Sequence, residues 1–238
     1  MTDSVALVTG ASSGIGRAIA RRLAADGMRV VAAARRVERL HELAEDSGGA
    51  IEPRALDVTD RDAVRSAVDD VVARHGRLDV LVANAGVMPL SRLDAGLVDE
   101  WDRMIDVNIR GLLHGIAAAL PHFLATGSGH LVTVASIGAH AVSPTAAVYC
   151  GTKYAAWAIT EGLRLEAPPG IRVTTISPGV VRSELADTIS DPHAKAVMTE
   201  YRKHAIAPES VAEAVAYAVG QPPDVDVTEI IVRPVQQR

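Results

Sequence analysis

The sequence predicts an α/β protein built on a doubly wound, seven-stranded parallel sheet with helices on both faces. Three observations carry that expectation. Apolar runs of strand length alternate with longer helical stretches along the chain. Such strict alternation, joined by right-handed crossovers, yields a parallel sheet covered on both sides. The first apolar run passes straight into a glycine-rich turn and then a helix. No stretch rich in glycine, proline and serine divides the chain and no repeat is visible, so all 238 residues are expected to form one domain.

Taken in order, residues 5–8 (Val-Ala-Leu-Val) read as a buried strand, and 17–26 as a helix that Gly27 ends. A strand at 29–34 and a helix at 37–45 follow, then a third strand at 53–56. Thr59-Asp60-Arg61-Asp62 resembles a capping box, opening a helix to about His75. The fourth strand is expected at 78–83, a long helix at 99–126 with a break near Pro121, and the fifth strand at 130–135. A helix at 149–165, a strand at 172–176, a helix at 208–219 opening on proline, and a strand at 227–232 complete the pattern. Residues 183–207 break the alternation; a lid over a substrate and an ordinary surface excursion are both open readings.

The composition, 48% hydrophobic and 22% charged, suits a packed globular chain and argues against disorder. A net charge of −5 without a basic stripe argues against nucleic-acid binding. The single cysteine, Cys150, allows no intrachain disulfide, which fits a reducing compartment. The amino terminus lacks the basic and apolar regions of a signal peptide, and no apolar run reaches the roughly 20 residues of a membrane helix. A cytoplasmic location and no membrane partner are the expectation. The histidines show no ligand spacing, so no metal is expected.

Thr9-Gly10-Ala11-Ser12-Ser13-Gly14-Ile15-Gly16 joins the first strand to the first helix. Glycines there permit a tight turn and close approach of backbone to a pyrophosphate, while the helix end offers free N–H groups. A glycine cluster alone is as often a plain turn; its place after an amino-terminal strand favours a dinucleotide. At the end of the second strand an NAD site usually has an acid. Here stand Ala34, Arg35 and Arg36, and a guanidinium grips a 2′-phosphate through paired hydrogen bonds, so NADP(H) is the expected cofactor.

Ser136 stands just beyond the fifth strand, at the sheet edge where ligands bind in such folds, and Tyr149 and Lys153 share one helix face. Asn108 lies inside a helix, an awkward place for that side chain. Together with Asp57-Val58, Asn84-Ala85-Gly86 and Pro178-Gly179, these motifs resemble those of the short-chain dehydrogenases/reductases along essentially the whole chain. Residues 229–236, with Arg233-Pro234-Val235, are similar to the NADP-linked hydroxy-acid and serine dehydrogenases of that family.

The resemblance implies a Rossmann fold, a homodimer or homotetramer, and a small carbonyl or alcohol substrate. It implies that Gly10, Ser12, Ser13, Gly14, Ile15, Gly16, Arg35 and Arg36 hold the phosphates. Asp57 and Val58 would meet the adenine; Asn84, with Ala85 and Gly86, the adenosine ribose; and Pro178, Gly179, Val181 and Ser183 the nicotinamide. Tyr149 would give the proton, its pKa lowered by Lys153 and the oxidised ring. Ser136 would stabilise the oxygen, Lys153 hold the nicotinamide ribose, and Asn108 hold a water. The expected reaction is NADPH-dependent reduction of a ketone or aldehyde. Oxidation of a 3-hydroxy acid or other secondary alcohol with NADP+, and a silent NADPH sensor, are the alternatives. An enoyl reductase typically spaces its tyrosine and lysine more widely, and a sugar-nucleotide epimerase needs a longer chain. Cys150, His140, Trp157 and Arg182 are assigned no role.

Overall fold

The structure is a computed structural model that describes residues 4–237. Residues 1–3, read above as part of an amino terminus without a signal peptide, lie outside the described residues.

Seven parallel strands form one sheet in the order β3-β2-β1-β4-β5-β6-β7. They are β1 (Val5–Thr9), β2 (Arg29–Ala34), β3 (Ile51–Ala55), β4 (Val80–Ala83), β5 (Gly129–Val134), β6 (Ile171–Pro178) and β7 (Glu229–Val232). The helices are α1 (Gly14–Ala25), α2 (Val37–Glu45), α3 (Arg61–His75), α4 (Val98–Ile105), α5 (Gly111–Thr126), α6 (Ala147–Glu166), α7 (Pro192–Tyr201) and α8 (Pro208–Val219). Alternation along β1 sorts the core. Ala6 and Val8 join Ile19, Leu23, Leu40, Val211 and Val215 of α1, α2 and α8 on one face. Val5 and Leu7 join Val64, Val68, Ala119 and Phe123 of α3 and α5 on the other. Strand order reverses between β1 and β4, which opens a crevice at their carboxyl ends.

Several boundaries differ from expectation for physical reasons. α3 is capped by Asp60, whose Oδ1 accepts from Ala63 N at 2.9 Å, so the cap lies one residue beyond Thr59. Thr59 instead donates twice to Asp57. Pro121 does not break α5. Both Pro121 and Ala117, whose carbonyl loses its donor, lie on the exposed side, where water replaces the missing N–H. The real irregularity in the long helix is a π-turn, Asp106–Arg110, between α4 and α5. Pro53 is tolerated because β3 is an edge strand.

Residues 183–207 hold a 3-10 turn (Glu184–Thr188), α7 and a second 3-10 turn (Arg202–His204). The ends of this excursion are stitched together: Ile206 N donates to Val180 O at 3.1 Å and Arg182 N to Ile206 O at 2.9 Å.

Candidate active site

The glycine turn is built for close approach. Gly10, at φ 67°, would place a Cβ 2.8 Å from Ala85 Cα. A Cβ on Gly16 would overlap Gly10 O and Asn84 Nδ2, so the turn and the end of β4 touch backbone to backbone. Asn84 Nδ2 donates to Thr9 O at 2.9 Å. The Thr9 hydroxyl accepts from Asn84 N and Ala85 N. No side chain caps the amino end of α1, which leaves its first N–H groups facing the crevice.

Arg36 reaches back from the start of α2. Its Nη2 donates to Ser13 Oγ at 2.8 Å and Ser12 Oγ at 3.1 Å, and its Nη1 to Glu184 at 2.7 Å. Arg39 donates to the same carboxylate, and the two arginines hold Glu184 below the usual carboxylate range. Glu184 escaped the sequence reading: it lies 148 residues from Arg36, and no local pattern announces the pair. Arg35 is exposed and lines the same crevice. Burial pushes the Asp57 carboxyl up, but Thr59's backbone and side-chain hydrogen bonds, with the Arg35 charge, bring it below its ordinary value.

The residues expected to react converge at the other end. Ser136, in extended backbone, accepts from Gly138 N at 3.0 Å, and its hydroxyl lowers the Tyr149 pKa. A methyl group placed on Gly138 would lie 3.4 Å from Ser136 Oγ and 3.5 Å from Tyr149 Cε1. Lys153 sits one turn along α6, with Nζ 5.9 Å from the Tyr149 ring centre and donating to Val134 O at 3.0 Å. Tyr149 is 8% exposed and Lys153 7%, so desolvation governs both. Burial pushes the phenol up to about 12 against the Ser136 hydrogen bond that lowers it, with the neighbouring Cys150 raising it further. Burial pushes the Lys153 ammonium down to about 8. The expected lowering of the tyrosine by the lysine is therefore not found in the protein alone.

Asn108, in the π-turn, is 5% exposed, and both its polar atoms are hydrogen-bonded. Its Oδ1 accepts from Val87 N at 2.9 Å, and its Nδ2 donates to Val87 O at 3.0 Å and Thr152 Oγ1 at 3.1 Å. The side chain thus pins the loop after β4 to α6. A small cavity of about 20 Å³ lies among Asn108, Lys153, Thr9 and Thr133, room for one water by volume.

All the other expected residues line a single cleft of about 1060 Å³: the glycine turn, Arg35, Arg36, Asp57, Val58, Asn84 to Gly86, Ser136, Tyr149, Lys153, Pro178, Gly179, Val181 and Ser183. Met88, Leu90, Val107, Leu185, Val197 and Met198 give its outer part an apolar wall. Part of that wall comes from residues 183–207. Thr145, just before α6, adopts φ 66°, a strained backbone for a β-branched residue beside the site. Among the described residues no cluster of His, Cys, Asp and Glu could hold a metal. No helix among them is long and apolar enough to cross a membrane.

Comparison with known proteins agrees with this architecture. The family model described as short chain dehydrogenase matches residues 4–194. An uncharacterized oxidoreductase of Staphylococcus saprophyticus is 45% identical over 239 residues, covering 99% of this chain and 97% of that protein. The structure of an alcohol dehydrogenase from the archaeon Thermococcus sibiricus, complexed with 5-hydroxy-NADP, superposes with a TM-score of 0.87 at 34% identity, covering 99% of this chain and 98% of the other. The closed form of a serine dehydrogenase complexed with NADP+ gives a TM-score of 0.91 at 32% identity, covering 98% and 96%. On the family match and the extent of these likenesses, the chain belongs to the short-chain dehydrogenase family of oxidoreductases.

Proposed function

We propose that this protein uses NADPH to reduce the carbonyl of a small ketone or aldehyde, with Tyr149 delivering the proton. The observation that carries the reading is the Ser136–Tyr149–Lys153 constellation, its tyrosine and lysine buried, opening on the same cleft as the glycine turn and Arg35.

The residues fit such a cofactor. Glycines 10 and 16 sit where a Cβ would collide, the amino end of α1 has no side-chain cap, and Arg35 and Arg36 line the cleft with charge suited to a 2′-phosphate. Arg35, Arg36, Ser12 and Ser13 would hold that phosphate. Asp57 and Val58 would meet the adenine, and Pro178, Gly179, Val181 and Ser183 the nicotinamide. When bound, the reduced dinucleotide supplies a hydride to the carbonyl carbon.

The chain's own groups do the rest. Ser136 donates a hydrogen bond to the carbonyl oxygen as negative charge develops there. A tyrosine at about 12 keeps its proton at neutral pH, which suits it to donate rather than to abstract. Lys153, at about 8, is mostly charged at neutral pH and sits close enough to stabilise the phenolate as the proton leaves. The cavity beside Asn108 and Lys153 gives a water a place from which to return the proton. Asn108, which lines that cavity, would hold the water. Residues 183–207 serve as a lid that excludes solvent.

Tyr149→Phe tests the assignment. Turnover of NADPH with a panel of ketones and aldehydes should fall about 100-fold to 10,000-fold, since general-acid catalysis is worth about 10²–10⁴. NADPH affinity should stay within a few-fold. A variant that keeps near-normal turnover overturns the reading.

A further inference from the structure

A carboxylate outside the reacting groups ties together the three segments that carry them. Glu229 opens the edge strand β7. Its Oε1 accepts from Ser177 Oγ at 2.8 Å and lies 2.7 Å from His140 Nε2, and its Oε2 accepts from the Trp157 indole at 3.3 Å. A carboxylate only accepts, so His140 Nε2 carries the hydrogen. That nitrogen also lies 3.2 Å from Ser177 Oγ, and the His140 and Trp157 rings meet edge to face with centres 6.2 Å apart.

Each donor belongs to a different working segment. His140 ends the 3-10 turn Ile137–Ala139, whose first cap is Ser136. Trp157 lies on α6 one turn beyond Lys153 and two beyond Tyr149. Ser177 directly precedes Pro178, where the chain enters the segment facing the cleft. His140 itself lines that cleft. The carboxylate therefore joins positions 52, 72 and 89 residues away in the chain. The sheet does not need this side chain, since β7 pairs with β6 through its backbone.

We infer that Glu229 is a positioning residue of this site, with His140, Trp157 and Ser177 as its three arms. It holds the Ser136 turn, the Tyr149–Lys153 helix and the Pro178 segment at fixed spacing, so that hydroxyl, phenol and ammonium stay aimed at one point. The inference rests on the reductase reading above. A satisfied polar network of this kind fixes geometry beyond what its separate pairs would. A misplacement of about 1 Å costs about a hundredfold in rate.

Glu229→Gln keeps the size of the side chain, but its single acceptor oxygen cannot serve all three donors. We expect kcat to fall about tenfold or more in Glu229→Gln and in His140→Ala, with the Kd for NADPH within about twofold, as a geometric fault short of full misplacement requires. Glu229→Asp, which keeps the charge, should recover part of kcat. The double variant Glu229→Gln/His140→Ala should be little worse than either single one, because both cut the same network. In the protein alone, amide hydrogen exchange should quicken across residues 137–146 while residues 5–9 stay unchanged, a readout that needs neither cofactor nor substrate. Unchanged exchange with unchanged kcat overturns the inference. So does a loss of kcat that tracks a uniform rise of exchange along the whole chain, which marks general destabilisation. Tyr149→Phe, run in parallel, keeps the two readings apart. If it retains turnover, the reductase reading fails; if it is dead while Glu229→Gln is normal in kcat and exchange, the positioning role alone fails.

Discussion

Arg35 and Arg36 look equivalent in the sequence, but the structure gives them different partners. Arg36 is already engaged by Ser12, Ser13 and Glu184, whereas Arg35 faces the cleft with Asp57 as its electrostatic neighbour. Under the NADPH reading, Arg35→Asp should move the NADPH/NADH ratio of kcat/KM toward NADH by at least about tenfold. Hydrogen bonds to charged groups are worth about 1.5–3 kcal/mol, and the new carboxylate also repels a 2′-phosphate. An unchanged ratio in steady-state assays would count against it. Lys153 sets a second expectation. Its ammonium titrates at about 8 because burial disfavours charge. Carbonyl reduction should therefore hold from neutral pH up to about 8 and decline above it, as the ammonium next to Tyr149 disappears. A kcat profile still rising through pH 9 would sink that assignment. Tyr149, Lys153 and Ser136 were legible because their chemistry is bound to short motifs on identifiable elements. Glu184 and Glu229 were not, since their partners lie far away in sequence and an isolated glutamate carries no pattern.

The order of strands and helices was legible because buried parallel strands are continuous apolar runs and the intervening helices are amphipathic. What escaped was decided by tertiary surroundings. The π-turn exists where Asn108 must reach both Val87 and Thr152, and nothing in Asp106–Arg110 forbids an ordinary helix. The pairing of β5 with β6 also hides a titratable group. His130 is 1% exposed, with Nε2 2.8 Å from Thr174 Oγ1; that hydroxyl donates to Val227 O and so accepts from the ring, which leaves Nδ1 without a partner. Burial, helped by the Arg172 charge, pushes this imidazole down to about 3. Unfolded, it returns to about 6.5, so between those values the unfolded chain binds the extra proton. Its contribution to stability is complete above about 6.5 and is lost as pH falls toward 3, by up to about 1.4 kcal/mol per pH unit. His130→Gln retains a donor for Thr174 but cannot titrate. Urea midpoints from pH 7 to pH 5 should fall less steeply for this variant than for the parent, and parallel slopes would refute the argument.

At the scale of the molecule, the lid proposed for residues 183–207 depends on how the excursion after β6 is fastened. Its two ends are stitched between Val180–Arg182 and Ile206, and Arg202 donates to Ser183 O. The chain's last described residue adds a third fastening. Gln237 Oε1 accepts from Val180 N at 3.0 Å while its Nε2 donates to Tyr201 Oη at the end of α7. Packing agrees with the bonding: a Cβ on Gly179 would collide with the Gln237 side chain and lie 2.7 Å from Arg233 Cβ, so tail and loop touch as closely as glycine permits. Carboxyl tail, cleft-facing loop and α7 are thus one mechanical unit, assembled from segments that local patterning reads as unrelated. Gln237→Ala leaves the Val180 N–H, on a residue only 9% exposed, without its acceptor, a fault worth about 1–3 kcal/mol. If that energy is felt by the segment rather than by the sheet, the Kd for NADPH should rise about fivefold to a hundredfold. Exchange across residues 180–205 should quicken, while the strands from β1 to β5 keep their protection, because no bond of the sheet has been touched. Fluorescence titration of NADPH and amide exchange measure the two halves of this expectation. A variant with parent-like affinity and parent-like exchange in that segment would show that the tail is only packed beside the excursion and does not fasten it.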